Sequence, residues 1–435
     1  MNTPIFDFVN KYKSSGTKRL HMPGHKGVSL LGCEEYDITE INGADSLYEA
    51  QGIIKESEEN ASSLFGCPTF YSTEGSSQCI RAMLFLASQK GVKKVLAGRN
   101  AHKTFITACS LLDLEVSWIY GNSSYLSCNI DKNSLEQAIK EEKPDAVYIT
   151  SPDYLGNISD IKAISEVCKN YNILFLVDNA HGAYLKFLES SMHPIDLGAD
   201  MCCDSAHKTL PCLTGGAYLH IKDEDIAKGA KNALSVFGST SPSYLILQSL
   251  DLINRFICED FKTNLEAFIL KVENFKKTLR GAGYSLYGDE PMKLTICAKA
   301  YGYTGYEFAK ILRENKIECE FSDPDFAVFM LSINTDLDFL KNALLNIPQK
   351  EPLPVFPPRL SKPERILSIR DAVMCDYEEI PIEKAEGRIL AGLSVGCPPA
   401  VPIAVCGEKI DNNITKCFKY YGINKCTVIK RGCLK

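Results

Sequence analysis

The residues of this chain best suited to chemistry are Asp178, Ser205, His207 and Lys208. Asp178 closes an unbroken apolar run, Ile173-Leu174-Phe175-Leu176-Val177. A run apolar on both faces reads as a buried parallel strand, and the carboxyl end of such a strand is where open α/β sheets place ligands. Further on, Cys202-Cys203-Asp204-Ser205-Ala206-His207-Lys208-Thr209 precedes Gly215-Gly216 and a second strand-like run, Gly216 to Ile221. A lysine can form a Schiff base, a carboxylate can pair with a pyridinium nitrogen, and serine and histidine can bond a phosphate. An acid at one strand end and Ser-x-His-Lys at the next therefore suit pyridoxal phosphate (PLP). A plainer reading uses the same residues, with the lysine solvated in a polar loop and the aspartate closing a turn.

A second phosphate-binding candidate lies upstream. Phe70-Tyr71-Ser72-Thr73-Glu74-Gly75-Ser76-Ser77-Gln78 leads into a helical stretch, Ile80 to Lys90. A Gly-Ser-Ser turn that opens a helix offers free backbone N–H groups, hydroxyls and the positive end of a dipole. Such turns are also ordinary helix caps. His21 and His25 are four apart, but Pro23 and Gly24 between them argue against a helix. No Cys, Asp or Glu completes a ligand set of familiar spacing there, so the segment reads as a structured loop with no metal.

The elements that must position these residues alternate. Strands are expected at 94–97, 115–119, 145–150 and 173–177, and helices at 50–64, 104–112, 133–142 and 161–170. This β-α-β alternation implies a mainly parallel sheet covered by helices. Past Ile221 the pattern changes to long helices over 223–233 and 242–280. From 283 to 347 strand and helix alternate again, as in a smaller α+β domain. Pro352-Leu353-Pro354-Val355-Phe356-Pro357-Pro358 reads as a semi-rigid linker. Beyond it, a helix is expected from Pro381 to Leu390 and a turn at Cys397-Pro398-Pro399-Ala400-Val401-Pro402.

With 435 residues, the chain is long enough for two or three packed units. Hydrophobic content of 45% and charged content of 23% are those of a globular protein. A net charge of -6 gives no electrostatic reason to expect nucleic acid or an acidic membrane as partner. None of the 18 cysteines forms a Cys-x-x-Cys pair, and several fall in apolar runs, so reduced thiols in the cytoplasm are expected. The first twelve residues read as an amphipathic helix, not a secretion signal, and no apolar run approaches the roughly 20 residues that span a bilayer.

The ordered set of motifs resembles the Orn/Lys/Arg decarboxylase family. It runs through His21-Met22-Pro23-Gly24-His25-Lys26-Gly27, Asp37-Ile38-Thr39-Glu40, Gly75-Ser76-Ser77 and Arg99-Asn100-Ala101-His102-Lys103. It continues with Asp178-Asn179-Ala180-His181-Gly182-Ala183, Ser205-Ala206-His207-Lys208-Thr209, Glu379 to Ile389 and Pro398 to Pro402. The resemblance implies a PLP enzyme of the aspartate aminotransferase fold, in the shorter form without an N-terminal wing domain. It implies an N-terminal helix and segment (1–25), a PLP-binding large domain (26–250), a small α+β domain (251–350) and a C-terminal unit (351–435).

By the same resemblance, Lys208 would carry the Schiff base and Asp178 would face the pyridinium nitrogen. His102 would stack on the ring, with Ala180 beneath it and His181 near the substrate. Gly75, Ser76, Ser77, Ser205 and His207 would hold the phosphate. The implied reaction is decarboxylation of arginine, lysine or ornithine by a homodimer or larger homo-oligomer, with arginine first. The alternative is another PLP reaction, an aminotransferase or lyase, on a basic or modified amino acid. Three positions depart from the family pattern. Asn179 stands where Glu is common, Cys397-Pro398-Pro399-Ala400 where Tyr-Pro-Pro-Gly is common, and Cys406-Gly407-Glu408 where Pro-Gly-Glu is common.

Overall fold

The computed structural model describes residues 1–121, 129–354, 357–358, 362–397 and 401–432. The chain opens with helices α1 (Pro4–Ser14) and α2 (Ile53–Phe65), strand β1 (Thr69–Ser72) and helix α3 (Gly75–Gln89). Next come β2 (Lys94–Gly98), α4 (Lys103–Leu112), β3 (Glu115–Ile119), α5 (Lys132–Glu142), β4 (Ala146–Thr150) and α6 (Ile161–Asn170). The strands β5 (Leu174–Asp178), β6 (Met201–Asp204) and β7 (Ala217–Ile221) follow, with short helices α7 (Pro194–Leu197) and α8 (Ala206–Thr209) around β6. Helices α9 (Glu224–Ala227), α10 (Ala230–Phe237), α11 (Tyr244–Phe256) and α12 (Lys262–Gly281) lead into β8 (Leu286–Tyr287) and β9 (Lys293–Cys297). Then come α13 (Gly305–Glu314), β10 (Phe321–Ser322), β11 (Phe326–Met330), α14 (Leu337–Leu345) and α15 (Ile369–Met374). The last elements are β12 (Tyr377–Pro381), β13 (Ser394–Cys397), β14 (Val401–Val405), α16 (Asn412–Tyr420) and β15 (Lys425–Ile429).

Two compact units divide the chain. One holds Met1–Lys90 and Leu174–Glu266, the other Gly91–Ile173 and Ala267–Lys435. The strands lie in the order β1-β7-β6-β5 in the first unit and in the order β4-β2-β3 in the second. β5 and β6 run parallel, as do β2 with β3 and β2 with β4. β7 is antiparallel to both its neighbours, so the sheet is mainly parallel. Strands with covered faces need apolar residues on both, and β5 and β7 accordingly consist almost wholly of buried residues.

The second unit also contains an antiparallel sheet ordered β10-β11-β9-β8 and the two-stranded antiparallel pairs β12–β15 and β13–β14. Its C-terminal core gathers Ile380, Ile382, Leu390, Ile403, Ile414, Phe418 and Val428. Arg99, just past β2, forms a buried fork with both carboxylate oxygens of Glu408, at 2.6 and 2.8 Å. It also donates to the carbonyls of Pro402 and Ile403. No described helix is long and apolar enough to cross a membrane.

Three expectations are corrected. The segment Pro381 to Leu390 is not a helix, because β12 pairs with β15 and only Ile382–Lys384 makes a 3₁₀ turn. Gly387 then takes a φ of 78°, and Leu390 bridges to Val428. Ile382, Ala385 and Leu390 are spaced as on a helix, but they reach the core from an irregular chain. The helix expected over 223–233 is interrupted at Gly229 into α9 and α10. The one expected over 242–280 is broken by a π segment, Ile257–Phe261, in which Glu259 leaves helical geometry (φ -82°, ψ -113°). Ile257 and Phe261 stay buried across that break, so the apolar pattern runs on where the backbone does not. Pro398, Pro399 and Ala400, and Val355 and Phe356 of the proline-rich stretch, lie outside the described residues.

Candidate active site

The first unit brings most of the candidate residues together. β5 and β6 are parallel neighbours, with Asp178 opposite Cys203 in their register. Asp178 is buried, and its Oδ1 accepts the backbone N–H of Ala180 at 3.1 Å. The Cys203 thiol lies 3.8 Å from the same oxygen. Burial pushes that thiol far above its ordinary range, so it faces the carboxylate as a neutral group.

Beyond β6 the chain turns at once into α8. Ser205 stands at its N-cap, and the backbone N–H of Lys208 donates to the Ser205 carbonyl at 3.0 Å. The turn sends the Lys208 side chain towards the segment after β5, where Nζ lies 3.1 Å from Nε2 of His181. An ammonium has only protons to offer, so with Lys208 charged His181 accepts through Nε2 and keeps its own proton on Nδ1.

Two hydroxyls meet nearby. Ser205 Oγ donates to Ser76 Oγ at 2.8 Å, which leaves the Ser76 proton to be directed elsewhere. Ser76 and Ser77 lie in the first turn of α3, where the backbone N–H groups have no partners within the helix and the dipole is positive. Gly75 begins that helix with a φ of 70°, a conformation open to glycine at little cost, and its N–H bonds the Gly215 carbonyl at 2.8 Å. His207 Nδ1 donates to the Gly216 carbonyl at 2.9 Å. Burial lowers the His207 pKa, the Gly216 bond opposes that, and the charge of Lys208 adds to it.

His102 belongs to the second unit. There it caps α4, its Nδ1 accepting the Thr104 N–H at 3.3 Å. His21 and His25 go to separate partners, the Tyr12 hydroxyl at 2.7 Å and the Asp37 carboxylate at 3.2 Å, within an irregular loop. The residues present in the first unit fit PLP. They offer a buried carboxylate at one strand end, a lysine amine beyond the next, and a serine pair at a helix N-terminus whose donor set suits a phosphate.

The sequence alone assigns no role to four residues beside this site: Asn179, His193, Asp204 and His220. Each is fully buried, and together they form one polar cluster. A signal was present, since an acid and a histidine inside the apolar strands β6 and β7 must find partners or carry a large desolvation cost.

Comparison with known proteins identifies the family. Residues 3–287 match the model for the Orn/Lys/Arg decarboxylase major domain, and residues 361–427 match that for the Orn/Lys/Arg decarboxylase C-terminal domain. The arginine decarboxylase of Bacillus subtilis (strain 168) is 29% identical over 96% of this chain and 93% of its own. The E. coli constitutive lysine decarboxylase shares the fold with a TM-score of 0.80, at 18% identity, over 99% of this chain and 82% of that one. An alanine–glyoxylate aminotransferase from Nostoc sp. matches with a TM-score of 0.56, at 18% identity, over 67% of this chain and 85% of that one. The major-domain match covers well over half of the sequence and includes the segments that carry Asp178 and Lys208, so the chain belongs to the Orn/Lys/Arg decarboxylase family of amino-acid decarboxylases.

Proposed function

We propose that this chain decarboxylates a basic amino acid, with arginine ahead of lysine and ornithine, using PLP held beside Lys208. The observation that carries the reading is the Lys208–His181 contact of 3.1 Å, in the unit that also holds buried Asp178 and the Ser76–Ser205 pair. Arginine comes first because the Bacillus relative, matched over 93% of its own chain, bears that name.

Bound PLP would supply a ring that draws in the electrons of the Cα–carboxylate bond as it breaks. The protein's part is to orient and to move protons. Asp178 would keep a proton on the ring nitrogen, since an ionised carboxylate favours a cationic partner. Ser76, Ser77, Ser205 and His207 would anchor the phosphate, with Gly75 shaping their turn. His102 would lie against the ring face and Ala180 beneath it. His181, by accepting from Nζ, would steer the Lys208 amine, and either group could return a proton to Cα.

A homodimer, or a larger homo-oligomer, fits the exposure of Leu20, Leu30 and Leu31, which are 93%, 90% and 85% accessible within one short segment. Covering each would be worth about 1.5–3 kcal/mol. The cysteines whose side chains are described form no disulfide, which suits a reducing cytoplasm. The test is CO₂ release from purified holoenzyme given arginine, lysine or ornithine. Release from at least one is expected, fastest with arginine. No release from any would overturn the reading, and a keto acid without CO₂ would move the chain to aminotransfer.

A further inference from the structure

The polar cluster behind the site is organised by one carboxylate. Asp204 is wholly buried at the end of β6. Its Oδ1 accepts the Asn179 side-chain N–H at 2.6 Å. Its Oδ2 lies 3.1 Å from Nε2 of His193 and 3.1 Å from Nε2 of His220. Among the described residues, His193 Nδ1 is buried without a partner. A bare ring lone pair is tolerated there more readily than an unmatched N–H, so the His193 proton sits on Nε2 and is donated to Asp204. His220 is held from behind by the Thr69 hydroxyl at 3.0 Å from its Nδ1, and the Phe65 ring packs against it with centroids 4.3 Å apart. His193, His220 and Asp204 are a ligand set that could suit a cation. Both imidazole nitrogens already stand at hydrogen-bond distance from the carboxylate, so the set is closed by protons.

The strand pleat separates this cluster from the face that Asp178 presents. Successive residues of a strand point to opposite faces. Asp178 and Cys203 face one another across the register, and their side chains meet at 3.8 Å. Asn179, just past the end of β5, and Asp204, the last residue of β6, meet on the other side at 2.6 Å. The backbone adds a further tie, from the Asn179 N–H to the Cys203 carbonyl at 3.0 Å. Asp204 thus clamps the residue after Asp178 and stands immediately before Ser205. It can act on the site only through those neighbours.

We infer that Asp204 is a positioning residue. With His193 and His220 behind it and Asn179 in front, it sets the peptide that aims Asp178 and the turn that carries Ser205 and Lys208. The inference rests on the proposed PLP site. Gly182 agrees with so tight a fit, since a Cβ there would fall 2.1 Å from Asn179 Oδ1.

The test uses purified holoenzyme and two pairs of variants. Asp204→Asn places an amide N–H among three donors. It should lower kcat at least tenfold, leave the amino-acid KM within threefold, and shift the visible absorption maximum of the bound cofactor. Asp251→Asn alters a buried carboxylate that shares no hydrogen-bond partner with Asp204, and should change melting temperature while the visible maximum stays put. His193→Gln keeps an N–H able to reach Asp204 and His193→Leu does not, so Gln should retain most of the kcat that Leu loses. This second pair decides the matter if Asp204→Asn fails to fold. An Asp204→Asn enzyme that melts earlier but keeps wild-type kcat and spectrum would overturn the inference. Equal kcat in the two His193 variants would overturn it too. If Lys208→Ala keeps the lysine-bound spectrum, the site reading itself has failed; if it loses that spectrum while Asp204→Asn behaves as wild type, only the positioning role falls.

Discussion

Asp204 and Asp251 are both buried in the first unit, and each carboxylate accepts three hydrogen bonds, yet their pKa values shift in opposite directions. Asp251, on α11, accepts from the backbone N–H groups of Ile5 and Phe6 and from the Ser57 hydroxyl. Burial pushes it up to about 6, and those donors only partly offset the cost. Burial also pushes Asp204 upward, but the His193 and His220 imidazoles outweigh it and hold the carboxyl well below the usual range. The number of hydrogen bonds does not set the charge. What differs is the kind of donor: two imidazoles converge on Asp204, while Asp251 meets backbone amides and a hydroxyl. The Asp204 end is thereby kept anionic beside the site, while the Asp251 end works as a tie for the first turn of α1.

If that division is right, changes near Asp204 should disturb chemistry and changes at Asp251 should disturb stability alone. The largest effect belongs to the site itself. Lys208→Ala should lose roughly 10²–10⁴-fold or more in kcat, and the visible band of lysine-bound cofactor should vanish. A retained band would mean that another lysine holds the cofactor.

Next in size is Gly182→Ala. Its Cβ would meet Asn179 Oδ1 at 2.1 Å and Leu185 Cδ1 at 2.8 Å. Overpacking of this kind costs about 1–3 kcal/mol in denaturant unfolding. Because the blow falls on Asn179, kcat should drop as well; a stability loss with unchanged kcat would separate the two ends less sharply than proposed.

Asp251→Asn gives the converse. A carboxyl whose folded pKa is raised from 3.8 to about 6 binds its proton more tightly folded than unfolded. Its contribution to stability is complete below about pH 4 and is lost as pH rises through about 6, with a slope of up to about 1.4 kcal/mol per pH unit. The Asn variant should lack that slope between pH 4 and 6, with kcat unchanged. Unfolding curves across this range check it, and an undiminished slope would assign the titration to another group.

The smallest effect concerns His207. Its Nδ1 proton is committed to the Gly216 carbonyl and burial lowers its pKa, so Nε2 can donate to a phosphate only after gaining a proton. PLP binding to the apoenzyme should therefore take up a fraction of one proton near neutral pH. Calorimetry in buffers of different ionisation heat would read it, and no buffer dependence would remove His207 from the phosphate site.

Local pattern served well where one strand or helix meets one environment. Glu115–Ile119 and Ile161–Asn170 fall at the bounds their residues suggest, since alternation or a helical stripe with an Asp160 cap leaves little choice. It failed at Pro381 to Leu390, where Pro381 is claimed by pairing with Lys425 and the apolar residues pack from a loop. It failed again at Glu259, because burial of Ile257 and Phe261 preserves the periodicity through a non-helical residue. Pairing partners distant in sequence decide such segments, and no local window contains them.

The order of motifs along the chain sufficed to place it among the Orn/Lys/Arg decarboxylases, and to single out Lys208, Asp178 and the Gly75-Ser76-Ser77 turn. Residue type and order carry that information because the chemistry demands particular groups at strand and helix ends. Which nitrogen of His181 meets Lys208, and which hydroxyl of the serine pair donates, could not be read from the order of residues. Nor could the gathering of His193, Asp204, His220 and Asn179 around one carboxylate. Those contacts depend on the register between β5, β6 and β7, which packing of the whole sheet selects, and a slip of one residue would turn Asp204 to the opposite face.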